Sequence, residues 1–92
     1  MTTINREFLS SFINFCKTQE PDKEIDHRSW STCAVGEFYN SLRLKDRTYC
    51  CADWFYLELT GTKVDYNKDD CILENICNKF KYGSLVEYLE TI

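Results

Sequence analysis

The chain has 92 residues, 43% hydrophobic and 28% charged, with one proline and three glycines. This balance excludes wholesale disorder and collagen-like or low-complexity sequence, and the length suits one hydrophobic core. The formal net charge of −4 disfavours nonspecific contact with nucleic acid or anionic lipid.

No linker or internal repeat interrupts the chain, so a single compact domain is expected over residues 1–92. A first helix is predicted from about residue 4 to 19, where Ile4, Phe8, Leu9, Phe12, Ile13, Phe15 and Cys16 recur at helical spacing. Thr3 is its expected N-cap, and Pro21 with the polar stretch through Arg28 ends it. A second helix is predicted after Ser29 or Ser31, carrying Trp30, Cys33, Ala34, Phe38 and Leu42. Gly36 inside it costs about 1 kcal/mol of helix propensity and, beside Ala34, permits close approach of another backbone.

In the middle, Phe55, Leu57 and Leu59 alternate with Trp54, Tyr56 and Glu58, the two-residue period of a strand. Thr60-Gly61-Thr62 reads as a turn, Lys63-Val64-Asp65-Tyr66 as the returning strand, and residues 47–51 as a third strand. Further on, Asp69 or Asp70 is placed to cap a helix with Ile72, Leu73, Ile76, Cys77 and Phe80 on one face. Gly83 is read as its stop, and Ser84-x-x-Glu87 as a capping box opening a last short helix with Leu85, Tyr88, Leu89 and Ile92. The predicted fold class is α+β: a mostly helical small single domain with a short antiparallel β-hairpin or three-stranded sheet.

The chemistry-bearing residues form no familiar set. No apolar run approaches the roughly 18 residues needed to cross a bilayer, and residues 1–20 lack a signal-peptide apolar region. A reducing compartment is therefore expected, where the six cysteines stay free and Cys16, Cys33 and Cys77 pack as small hydrophobes. Zinc needs closely spaced ligand pairs; here there is one histidine, and Cys71 and Cys77 are spaced so that a helix turns one about 240° from the other. Asp65, Asn67 and Asp69 mimic the start of a calcium loop, but Asp70 replaces the turn glycine and Ile76 the closing bidentate glutamate. His27 lies in a polar stretch, where a surface or capping role is expected rather than activation of Cys33. No nucleotide-binding, hydrolase or metalloprotease motif occurs. The expectation is a non-enzyme with no metal or cofactor.

Two tryptophans, six tyrosines and six phenylalanines exceed what a small core requires, and exposed Tyr and Trp near Arg make good interface anchors. All of the net negative charge falls in residues 51–92, while Arg43, Lys45 and Arg47 form a short basic cluster. Ser29-Trp30-Ser31-Thr32-Cys33-Ala34-Val35-Gly36, followed by Phe38-Tyr39, resembles a Cys-Ala-x-Gly helix start of small phage and plasmid proteins. Tyr82-Gly83-Ser84-Leu85-Val86-Glu87-Tyr88-Leu89 resembles the aromatic-Gly-x-Leu helix that closes them. Taken whole, the chain resembles phage anti-CRISPR proteins that inhibit type I-F systems.

The resemblance implies a stoichiometric inhibitor in the cytoplasm of an infected bacterial host. Its partners would be Cas proteins of the type I-F surveillance (Csy) complex, with contact to the crRNA open, no binding of free nucleic acid and no membrane. Guide pairing supplies sequence specificity in such complexes, so covering that surface blocks target DNA recognition or hybridisation. The partner-binding residues chosen on physical grounds are Arg43, Lys45 and Arg47, toward RNA phosphate or acidic protein, with Tyr49, Trp54 and Tyr56 as anchors. Asp65, Asp69 and Asp70 would instead meet basic residues that normally hold nucleic acid. The rival expectation is a phage or plasmid accessory protein-interaction domain with another bacterial target.

Overall fold

The computed structural model describes residues 3–28, 33–42, 51–64 and 71–92. Within them lie five helices: α1 (Arg6–Lys17), α2 (Ala34–Ser41), α3 (Cys51–Thr60), α4 (Cys71–Cys77) and α5 (Tyr82–Leu89). Helix α1 packs against α2, α3 and α5, and α4 rests on α5. The radius of gyration is 12.4 Å, against about 12 Å expected for a compact chain of this length. No helix among the described residues is long and apolar enough to cross a membrane.

Helix α1 starts later than Thr3 would have it. The Asn5 backbone is extended and its N–H donates to the Leu59 carbonyl at 2.7 Å. Held there, Asn5 is the N-cap: its Oδ1 accepts from the Phe8 N–H at 3.1 Å. Leu9, Phe12 and Cys16 form the buried stripe, and Thr18 closes the helix by donating its hydroxyl to the Phe15 carbonyl at 2.6 Å. In α2 the cap is Cys33, whose Sγ accepts from the Gly36 N–H at 3.4 Å; Ser29 and Ser31, the predicted starts, lie outside the described residues.

Where the first strand of the predicted sheet was expected, the chain is helical. Residues 51–60 form α3, with Ala52, Phe55 and Leu59 buried at helical spacing. The alternation read as a strand arose because Trp54, Tyr56 and Leu57 are also large and apolar, so two periods fit the same letters. Ala52 is the residue that separates them, since it continues the three- and four-residue spacing and no alternation. Thr60-Gly61-Thr62 is a helix terminator rather than a hairpin turn. The Thr60 hydroxyl donates to the Tyr56 carbonyl at 2.9 Å, and Gly61, at φ +72°, donates its N–H to the Leu57 carbonyl at 2.7 Å. Lys63 and Val64 follow without regular structure, while the rest of the supposed return strand and residues 47–50 lie outside the described residues. Among the described residues the β structure is a single antiparallel bridge, Glu24 to Lys81.

The C-terminal helices also break at a different place. Helix α4 ends at Cys77 and α5 begins at Tyr82 with Lys81 as its N-cap, so Gly83 is inside a helix and Ser84-x-x-Glu87 makes no capping box. Gly83 has a packing reason. Its N–H donates to the Pro21 carbonyl at 3.0 Å, and a Cβ there would stand 3.1 Å from that oxygen and 3.2 Å from the Pro21 Cβ. The core unites all five helices through Leu9, Phe12, Phe38, Phe55, Ile76 and Leu85. Phe12 is at its centre, with ring centroids 4.8 Å from Phe55 and 5.1 Å from Phe38.

Candidate protein-binding surface

Of the nine predicted partner-binding residues, Trp54 and Tyr56 fall among those described; Arg43, Lys45, Arg47, Tyr49, Asp65, Asp69 and Asp70 lie outside them. The calcium-like residues 65–70 do so too. Trp54 sits on α3, half-buried, with its ring 4.9 Å from Tyr39, 5.6 Å from Phe8 and 6.1 Å from Phe38. Much of its surface is thus committed to the aromatic cluster. Tyr56 is likewise half-buried against the core.

The large apolar side chain most exposed among the described residues is Phe80, at 67%. Its periodicity with Ile72 and Ile76 places it on a buried helical face, but α4 stops three residues earlier and the chain turns extended. Around Lys81 the chain then pairs antiparallel with Glu24 in an isolated bridge. The Ile25 N–H donates to the Phe80 carbonyl at 2.8 Å, and the Tyr82 N–H donates to the Lys23 carbonyl at 3.2 Å. These bonds fix the backbone on which Phe80 stands. Ile25, buried at 6% exposure, anchors the other side of the pair in the core.

His27 fastens the outer end. Its Nε2 lies in hydrogen-bond contact with the Lys79 carbonyl. A carbonyl only accepts, so Nε2 carries the proton. The imidazole also meets Phe80 edge-on, with centroids 5.6 Å apart and planes at 83°. Beside it Arg28 and Asp26 form a two-point ion pair, Nε to Oδ1 at 2.9 Å and the terminal nitrogen to Oδ2 at 3.0 Å. Hydrogen bonds from the Arg28 side chain, then from its backbone, hold the Asp26 carboxyl down at about 2. Glu24, Ile25, Asp26, His27, Arg28 and Phe80 together line a shallow depression of about 680 Å³. The result is one apolar knob on a pinned backbone, rimmed by polar groups of both signs.

A buried phenol ties this platform to the fold. Tyr82 is 1% exposed and donates its hydroxyl to Glu37 Oε2 on α2 at 2.7 Å. Burial first, and the Glu37 carboxylate second, push its ionisation well above the ordinary tyrosine range. Lys23 spans both groups, 5.7 Å from the Tyr82 ring centroid and 4.0 Å from Glu37 Oε2. Loop 21–25, α2 and α5 are thereby joined.

Among the described residues, the thiols of Cys16, Cys33 and Cys77 serve packing. Cys16 is buried, and burial pushes its thiol up to about 12; Cys77, half-buried, is raised by the same cause. A thiol held protonated is a poor nucleophile at neutral pH. Cys33, also buried, spends its sulfur on the α2 cap, and His27 is engaged with Lys79 and Phe80.

No family model, curated protein or solved structure matches the chain. In the two segments behind the type I-F resemblance, Cys33 and Gly36 form a helix cap and Gly83 makes room for Pro21. Both are structural parts.

Proposed function

We propose that the chain is a non-catalytic protein-binding inhibitor, and that its target is the type I-F surveillance complex, as the resemblance implies. The observation that carries the binding reading is Phe80: a large aromatic, two-thirds exposed, on a backbone pinned by Ile25, His27 and Tyr82. Anchors of this kind bind with little ordering cost, because the flanking chain is already fixed. The target class rests on the resemblance alone. Blocking follows from covering the surface where target DNA is recognised or pairs with the guide.

The test is co-purification of tagged wild-type protein and Phe80→Asp with the assembled surveillance complex, each variant checked for helical content. Wild type is expected to be retained, and Phe80→Asp to bind at least about 30-fold more weakly, the loss of an anchor worth about 2 kcal/mol. Equal retention of both would remove Phe80 from the interface. No retention of wild type at micromolar concentration would remove the type I-F target and leave the accessory-protein reading.

A further inference from the structure

We draw no further inference here: the strongest candidate, the shallow depression between residues 24–28 and Phe80, belongs to the surface already described, and nothing in the structure selects one occupant for it.

Discussion

Tyr82 and Cys16 show how single groups couple this fold to pH. Both are held protonated in the folded chain, above their ordinary values of 10.0 and 9.0. A group raised in this way favours the fold fully at low pH and loses that contribution as the unfolded chain begins to ionise. Stability should therefore fall as pH rises from about 9 to 12, by about 1.4 kcal/mol per pH unit for each group titrating. Urea unfolding of wild type and Cys16→Ala at neutral pH and near pH 10.5 isolates the Cys16 share. The gap between them should narrow by about 2 kcal/mol at the higher pH; an unchanged gap would mean that the thiol is hydrated. At the acid end, Asp26 is depressed, so its ion pair with Arg28 contributes above about 4 and is lost as pH falls through about 2. Tyr82→Phe should cost about 1.5 kcal/mol, the low end of the range for a hydrogen bond to a charged acceptor, because the Glu37 side chain is 36% exposed and regains water. The burial of Cys16 was legible in its helical stripe. The bond from Tyr82 to Glu37 was not, since it joins two helices far apart in sequence, a juxtaposition that no periodicity encodes.

Helix α3 is where local pattern and tertiary packing part company. Apolar residues crowd nearly every side of 51–60, so the strand reading and the helical one competed for the same side chains, and burial of Ala52, Phe55 and Leu59 settled it. The glycine signal was correct in kind but assigned to the wrong structure: Gly61 does take a left-handed conformation, as a helix end. Gly61→Ala has open space for its Cβ, so its cost should come from the backbone alone, about 1–2 kcal/mol, read as a lower urea midpoint with the slope unchanged. Gly83→Ala probes the opposite situation. Its helical backbone gains about 1 kcal/mol of propensity, while the new Cβ presses the Pro21 backbone at 3.1 Å. Pro21 is held by its bond to the Gly83 N–H, so net destabilisation with local loosening of residues 21–25 is expected. Net stabilisation would show that the loop moves aside freely. The helix boundary before Phe80 was hidden because Gly83 is a stop signal by type and a packing glycine by position.

At the scale of the whole molecule, small size makes each central side chain expensive to lose. Phe12 is fully buried between α2 and α3, and Phe12→Ala should cost about 3–5 kcal/mol. Against a total of about 5–15 kcal/mol for domains generally, that change should lower the melting temperature by more than about 10 °C. The mostly helical character, the α1 stripe and much of the core were readable from periodicity; the absence of the predicted hairpin among the described residues, and the backbone pairing of 21–25 with 79–83, depended on contacts across the chain. The predicted interface residues fall almost wholly outside the described ones, while Phe80 emerged only because its helix ended early. The most direct test of the inhibitor account is a titration of target-DNA capture by a fixed amount of type I-F surveillance complex with increasing wild-type protein. Capture should fall linearly and be abolished at a small whole-number ratio, with the complex intact. Abolition by a trace of protein that turns over many complexes, or capture unaffected by a large excess, would contradict it.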